Sequence, residues 1–482
     1  MDGKDRNLGL GEKWEKKGKL SPVGGLPEVR RRLNHQNQQP EDECLTPISP
    51  ELANLIKQRA KELKIRKAAR SWAAQVVNDF RENLLKFLKN STDQPFFQSA
   101  EFLSSGSYFE NVKIHSPDEF DMMLKLQAPS LLTMTKLDGG LFYRLDLNRP
   151  TRSPIQAFLL ENQLTISSSK ILNAMYELVR KFLKTYTVPD KQFCWKVNRK
   201  RPTSPAVTLS LCRIGNNTDE LMSVDLVPAL MVHDSQGWPQ GVRDGPDVDN
   251  WLGRKGRQKI KSLPCVFVPK RLKGRKLGED AKESWRISFS IMEKEMITKH
   301  GHTKTCCETY ITKCCRKQSL MLLKSLIEAL KQRFPKELED LCSYHGKTAF
   351  LHTLSIRFSD NMWTRKQLPQ CFLHLLGALE EHARSGDLPH FFVPHCNLFS
   401  ASVFPRKSLA FLVNALEEQR KEGLPLLKPP ALDSPLRAVS FLEETNGKQL
   451  NPKPAAQSLQ FTNQLVSLVF VAALCICFIF LV

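Results

Sequence analysis

Between Pro50 and about Asn90, apolar residues recur at three- and four-residue steps: Leu52, Ile56, Ala60 and Leu63, then Trp72, Val76, Phe80 and Leu84. That is the helical period, and it predicts one long amphipathic helix. From about 100 to 235 the apolar runs become short or alternate, as in Phe120-Asp121-Met122-Met123-Leu124, Ala206-Val207-Thr208-Leu209-Ser210-Leu211 and Ser223-Val224-Asp225-Leu226-Val227, which predicts strands. Helical stepping returns at Leu164 to Tyr186. It dominates from Trp285 to about Glu422, as in Leu320 to Phe334 and Leu373 to Ala383. Strands followed by helices predict an α+β chain of two lobes, a mixed sheet over 49–283 and a helical lobe over 284–427.

The ends read differently. Residues 1–48 lack periodicity and hold nine basic and eight acidic residues, which predicts a disordered, nearly neutral leader with one cluster, Arg30-Arg31-Arg32. Residues 428–463 are rich in Pro, Asn and Gln and read as a linker. Leu465 to Val482 follows with eighteen residues free of charge, Pro and Gly, at the lower edge of a membrane span. The expectation is a cytosol-facing C-terminal tail anchor over 464–482, with a docked apolar tail or an alternative splice end as the other readings.

Composition narrows the class. The 482 residues, 41% hydrophobic and 25% charged, exclude collagen-like, wholly disordered and multi-span membrane chains. The formal net charge of +21 calls for a polyanionic partner such as nucleic acid, nucleotide or lipid headgroup. Thirteen cysteines sit in a chain whose N-terminus carries no apolar secretion core, so a reducing compartment and metal binding or buried thiols fit better than disulfides.

One segment carries most of the chemistry. Gly106-Ser107 is followed twelve residues after the serine by Glu119-Phe120-Asp121, and about a hundred residues later by Val224-Asp225-Leu226. On a strand Glu119 and Asp121 project to one face while Phe120 enters the core. Adjacent acids repel unless cations lie between them, and Asp225 on another strand supplies a third carboxylate. Such a triad suits two Mg²⁺ or Mn²⁺ ions, with Gly106 and Ser107 binding phosphate oxygens, which is the layout of nucleotidyl transfer. Read singly, the acids are also compatible with solubility charges on an edge strand.

A second cluster, His300, His302, Cys306, Cys307, Cys314 and Cys315, packs six soft or borderline ligands into sixteen positions. One His and three thiolates close a tetrahedral, structural Zn²⁺ site; redox-active vicinal thiols or unpaired surface cysteines are the competing readings. Basic residues surround it at Lys304, Lys313, Arg316 and Lys317. Further basic groups lie along the predicted N-terminal helix, at Lys196 to Arg201, and in an acid-free run from Arg254 to Lys276. Patches spread this widely suit a long duplex better than a small ligand, although a solvated helix face has the same composition.

Gly106-Ser107, Glu119-Phe120-Asp121, Asp225, Trp285-Arg286-Ile287-Ser288-Phe289-Ser290, the His300/Cys306/Cys307/Cys314 spacing and Ser343-Tyr344-His345 together resemble the vertebrate cyclic GMP-AMP synthases, cytosolic DNA sensors of the Mab-21 nucleotidyltransferase family, over about residues 50–427. The resemblance implies a bilobal nucleotidyltransferase fold with a long N-terminal spine helix and a zinc thumb over 300–315. It implies Glu119, Asp121 and Asp225 as Mg²⁺ ligands and catalytic residues, and Gly106 and Ser107 as the phosphate-loop pair. Arg286, Ser288 and Ser290 are implied base readers, Lys324 a triphosphate contact, and Ser343 and Tyr344 a nucleotide hydrogen bond and stacking platform. His300, Cys306, Cys307 and Cys314 are implied Zn²⁺ ligands, and Lys64, Lys67, Lys304, Lys313, Arg316 and Lys317 the duplex-contacting surface.

By the same resemblance, ATP and GTP are joined into 2',3'-cyclic GMP-AMP after double-stranded DNA remodels the long helix and the loop from Tyr108 to Pro117. Two enzymes would assemble on two duplexes, in the cytosol and in part the nucleus. The short leader, the apolar tail and Ser105 in place of a common Thr depart from the pattern. A relative activated by double-stranded RNA, making another cyclic or linear oligonucleotide, and a non-catalytic nucleic-acid-binding scaffold of the same fold are the alternatives.

Overall fold

A computed structural model describes residues 47–428, apart from residue 105 and the segments 129–130, 202–203, 216–219, 233–235, 243–244 and 273–281. The expected leader, linker and tail anchor lie outside the described residues, as do Ser105 and part of the basic run after Arg271. Among the described residues, no helix is long and apolar enough to cross a membrane.

The expected single N-terminal helix is two helices, α1 (Pro50–Glu62) and α2 (Lys67–Lys89). The apolar stripe explains the break. Continuing from Leu63 by helical steps would carry Arg66 or Lys67 and then Arg70 into the core, whereas ending α1 lets Leu63 and Ile65 both be buried. Ser49 caps α1 by accepting the Leu52 N–H at 3.2 Å. Ile56 and Ala60 then pack toward the helical part of the chain, where Arg59 donates to Ser325 at 3.3 Å. Ala73, Val77, Phe80, Leu84 and Leu88 line the inner face of α2.

The sheet comprises β1 (Glu101–Leu103), β2 (Glu119–Gln127), β3 (Leu132–Asp138), β4 (Phe142–Leu147), β5 (Phe193–Val197), β6 (Val207–Arg213), β7 (Glu220–Met231), β8 (Val266–Pro269) and β9 (Trp285–Ser288). The strand order is β1-β2-β7-β8-β9-β4-β3, with β6 joining β7 and β5 joining β6. The β2–β7 pair is parallel and the other pairs are antiparallel. Helix α3 (Ser168–Thr185) covers the face formed by β5 to β8 and meets α2 through Phe80 and Phe182, whose rings lie 5.8 Å apart.

Two boundaries differ from the sequence reading. Helix α3 starts at Ser168, not Leu164, because Thr165 and Ile166 form bridges with Asp146 and Leu159, and Ser167 caps the helix by accepting the Lys170 N–H at 3.0 Å. Trp285 to Ser288 is a strand, not the start of the helical region. Trp285 and Ile287 are buried between β8 and β4, and Trp285 Nε1 donates to Ile166 O at 2.9 Å.

The remaining elements are α4 (Asp249–Lys261), α5 (Ser290–Thr298), α6 (Arg316–Arg333), α7 (Ser343–Ile356), α8 (Leu368–Ser385), the hairpin β10 (Pro389–His390) with β11 (Val393–Asn397), and α9 (Arg406–Lys421). Helix α6 is buried on all sides, from Ser319 and Leu320 to Ile327 and Leu330, so it forms the axis around which α1, α7 and α8 pack. One hydrophobic core runs from the sheet into these helices.

Candidate active site and metal centre

Strand β2 alternates strictly, with Phe120, Met122, Leu124 and Leu126 buried and Glu119 and Asp121 on the opposite face. The parallel register with β7 sets Asp121 directly opposite Asp225 and Glu119 opposite Ser223. Three carboxylates therefore share one end of one sheet face. Thr208 on β6 donates to Asp225 Oδ1 at 2.6 Å and fixes that carboxylate. Burial, then Glu119, then Asp225 push the Asp121 carboxyl above its ordinary range, as expected where like charges gather.

Three hard oxygen donors suit Mg²⁺ or Mn²⁺. The side chains are adjacent but do not converge. Among the described residues, only the thumb cluster brings its ligand atoms within 4.8 Å of one another, and Glu119 Oε2 instead meets Lys113 Nζ at 3.0 Å.

Gly106 turns the chain beside this face at φ +89°, and a Cβ placed there would stand 3.2 Å from both Cβ and Oδ2 of Asp121. Glycine is thus required by conformation and by space. Ser107 follows, half-buried, its carbonyl accepting the Val112 N–H at 3.0 Å. The loop onward to Pro117 holds Asn111 and His115 in the left-handed region, φ +59° and +60°.

Lysines pin this loop. Lys317 donates to Glu110 O at 3.1 Å, Lys324 to Val112 O at 3.2 Å, and Lys347 to Glu110 Oε1 at 2.9 Å. Lys324, the expected triphosphate contact, is buried and engaged by the loop. Tyr108 completes the anchorage by donating to Arg70 O on α2 at 3.4 Å.

The expected base readers stand on β9 and α5. Ser288 donates to Ser290 at 3.2 Å. Ser290 in turn lies 3.2 Å from Met123 Sδ, which shares its sheet face with Asp121. Arg286 is half-buried on β9. Desolvation lowers its pKa, against the pull of Tyr344 and Glu293. Ser343 is exposed at the first turn of α7, and Tyr344 donates to Glu293 Oε1 at 3.0 Å.

Lys347 lies between two acids, 2.9 Å from each of Glu110 and Glu293. Burial works against its charge, but the two carboxylates hold its ammonium above the usual lysine range. It does not serve both equally. For Glu293 the lysine overcomes burial and the carboxyl is held low, whereas burial dominates at fully buried Glu110, whose carboxyl is raised and whose Oε2 has no hydrogen-bond partner. Lys113, Glu110, Glu293 and Lys347 were not singled out from sequence. A charged residue on an amphipathic helix or in a loop reads as surface, and its burial is set by tertiary packing.

The thumb cluster assembles His300, Cys306, Cys307 and Cys314. His300 Nε2 lies 3.2 Å from Cys314 Sγ and 3.6 Å from Cys307 Sγ. Cys307 Sγ is 3.7 Å from Cys314 Sγ and 3.9 Å from Cys306 Sγ. A tetrahedron of thiolates around Zn²⁺ has edges of about 3.7 Å, so the donor set and spacing fit one such ion. His300 Nδ1 donates to Ile297 O at 2.7 Å, which leaves Nε2 free to ligate. Cys315 is buried behind the cluster against Cys371, and His302 Nδ1 turns to Trp251 O at 3.0 Å.

The expected duplex surface divides. Lys64, Lys67, Lys304 and Lys313 are exposed. Arg316 is fully buried and corrects the sequence reading. It pairs with Asp360 at 2.8 Å, donates to Phe358 O at 2.9 Å and lies 5.5 Å from the centre of the Trp363 ring. The first residue of α6 is covered by the segment before α8, so its guanidinium braces the thumb from beneath and does not reach outward. Lys317 is half-buried and also turned inward, to Glu110 O.

Residues 108–299 match the Mab-21 protein nucleotidyltransferase domain, and residues 315–418 match the Mab-21 protein HhH/H2TH-like domain. The chain is 37% identical over 373 residues to cyclic GMP-AMP synthase of Mus musculus, covering 77% of this chain and 70% of that one. It is 36% identical over 359 residues to cyclic GMP-AMP synthase of Sus scrofa, covering 74% and 69%. A cyclic GMP-AMP synthase-like receptor of Magallana gigas is 24% identical over 415 residues, covering 82% and 65%.

Proposed function

From the premise that this chain belongs to the Mab-21 nucleotidyltransferase family and is a nucleotidyltransferase, we propose that it joins ATP and GTP into 2',3'-cyclic GMP-AMP when double-stranded DNA binds it. The observation that carries the chemical part is the register of Asp121 against Asp225, with Glu119 two residues away and Gly106 against Asp121. The nucleotide choice and the activator are supported by the 37% identity to a cyclic GMP-AMP synthase and by the exposed lysines.

In this reading Glu119, Asp121 and Asp225 hold two Mg²⁺ ions. Those carboxylates would hold the cations, whose charge would supply activation of a ribose hydroxyl and neutralisation of the leaving pyrophosphate. The chain's own residues place the substrates. Gly106 admits triphosphate close to the backbone, and Ser107 offers it a hydroxyl. Arg286, Ser288 and Ser290 read base edges, Tyr344 stacks on a base, and Ser343 and Lys324 hold phosphate. Lys324 and Glu119 are bound by loop residues in the present arrangement, so both must exchange partners for transfer to proceed.

Duplex binding at Lys64, Lys67, Lys304 and Lys313 raises activity by binding the exchanged arrangement more tightly than the present one. Zinc at the thumb is structural, assembly on DNA is two chains on two duplexes, and the site of action is the cytosol. The test is incubation of the purified full chain with ATP, GTP and Mg²⁺, alone and with DNA or RNA duplexes, with products identified by mass spectrometry. A mixed cyclic dinucleotide formed only with DNA is expected. The same product with RNA alone would replace the activator, and no nucleotide product under any condition would overturn the reading.

A further inference from the structure

The hairpin of β10 and β11 brings His390 against the Tyr344 phenol, from a part of the chain that the nucleotide site has not so far used. His390 is 4% exposed. Its Nδ1 accepts the Phe392 N–H at 3.2 Å, so the ring proton of the neutral imidazole resides on Nε2. Nε2 lies 2.9 Å from Tyr344 Oη. The phenol oxygen accepts that N–H and donates its own proton to Glu293 Oε1 at 3.0 Å, and Glu293 Oε2 accepts from Lys347 Nζ at 2.9 Å. The polarity has one solution, because an ionised carboxylate can only accept and a backbone N–H can only donate.

The imidazole is itself held. Phe289 lies 5.3 Å from it and stacks on Phe392 at 4.5 Å with the planes 5° apart. Phe289 stands between Ser288 and Ser290 in the chain, so the His390 imidazole adjoins both the Tyr344 phenol and the side chain set between two expected base readers. Burial holds the His390 imidazole at about 4, far below its ordinary range, which keeps it neutral and in the donor tautomer at ordinary pH.

We propose that His390 is a positioning residue for nucleobase binding: its Nε2–H fixes the Tyr344 phenol, and so sets the tilt and depth of the ring that faces the base. The inference rests on the reading of Tyr344 as the stacking platform. A phenol bonded on both sides, to His390 and Glu293, loses little freedom when a base arrives. One released from His390 must be ordered by the nucleotide itself, and that cost falls on binding, not on the chemical step.

His390→Phe keeps the aromatic packing against Phe289 and removes the donor, while His390→Gln restores an N–H at similar reach. For His390→Phe we expect the KM of one of the two nucleotides to rise about fivefold to tenfold, the worth of a neutral hydrogen bond. We also expect kcat within about twofold and unaltered duplex affinity. His390→Gln should recover most of the KM. Tyr344→Phe deletes the same bond from the other side, so the double variant His390→Phe/Tyr344→Phe should lose no more than the more affected single variant. A wild-type KM in His390→Phe or in Tyr344→Phe, or losses that add in full, overturns the proposal. Tyr344→Leu separates the two levels. An unchanged KM there removes the platform reading, whereas a raised KM there beside a normal His390→Phe enzyme removes only the role of His390.

Discussion

Lys113 Nζ lies 3.0 Å from Glu119 Oε2, so the loop that follows Gly106-Ser107 reaches back and occupies one of the three carboxylates its own site presents. The same ammonium is 3.3 Å from Asp118 Oδ1. Burial opposes its charge, but Asp118 and Glu119 together hold its pKa above the usual lysine value. In the proposed two-metal reading, a cation fixed there would compete with a metal for Glu119.

Lys113→Met should therefore tighten Mn²⁺ binding in the absence of duplex. The pair includes an exposed carboxylate and is worth at most about 1 kcal/mol, which corresponds to about fivefold in affinity. Titration followed by electron paramagnetic resonance reads this directly, and weaker binding in the variant would show that Lys113 supports the site instead of competing for it.

Gly106→Ala imposes two penalties at once. The left-handed backbone costs about 1–2 kcal/mol for a residue with a Cβ, and the added methyl stands 3.2 Å from the Asp121 carboxylate. The expected outcome is a melting temperature lowered by a few degrees with nucleotide transfer lost almost entirely. Full activity in the variant would separate Gly106 from the site.

At the thumb, Arg316 and Lys313 should differ in kind. Arg316→Met removes a charged bond to half-buried Asp360, which keeps its bonds from His302 and Thr303, and strands the Phe358 carbonyl, so it should cost about 1.5–3 kcal/mol of stability. Lys313→Ala should leave melting unchanged while weakening duplex binding and flattening its salt dependence. Metal analysis of the parent chain should find one zinc per chain, and Cys306→Ala should lose it. A parent chain without zinc contradicts the structural-metal reading of the cluster.

His390 gives the protein an acid sensitivity of definite sign. Its folded-state value of about 4 lies below the ordinary 6.5, so the unfolded chain binds the proton more readily. The stability associated with neutral His390 is complete above pH 6.5 and declines as pH falls from there toward 4. Chemical denaturation across that window should show a shallower loss in His390→Gln than in the parent, and parallel curves would mean that His390 titrates normally.

The sequence was most informative where side-chain period and local geometry coincide. The two-residue alternation of Glu119, Phe120 and Asp121 was legible because β2 has one buried face, and Gly106 because its neighbours already suggested a phosphate turn. At the thumb, spacing offered six candidates and the resemblance implied four of them, and the structure gathers those four, His300, Cys306, Cys307 and Cys314, because their loop is short. The break between α1 and α2 was not legible, because charged Arg66, Lys67 and Arg70 continue a helical composition while interrupting only its apolar stripe. Trp285 to Ser288 is too short to display a period, and its role as a central strand comes from partners far away in sequence. Arg316 and Lys347 were obscured for the same reason: basic residues near the starts of helices read as solvent-facing, and only the packing of distant segments over them makes them internal.

The account stands on three carboxylates acting as one divalent-cation site. The most direct measurement is Mn²⁺ binding followed by electron paramagnetic resonance in the presence of duplex DNA and a non-hydrolysable ATP analogue, comparing the parent with Glu119→Gln/Asp121→Asn and with Asp225→Asn. Two bound Mn²⁺ per chain in the parent, both lost in the double variant and at least one lost in Asp225→Asn, is the predicted result. Equal Mn²⁺ binding in all three proteins would contradict it.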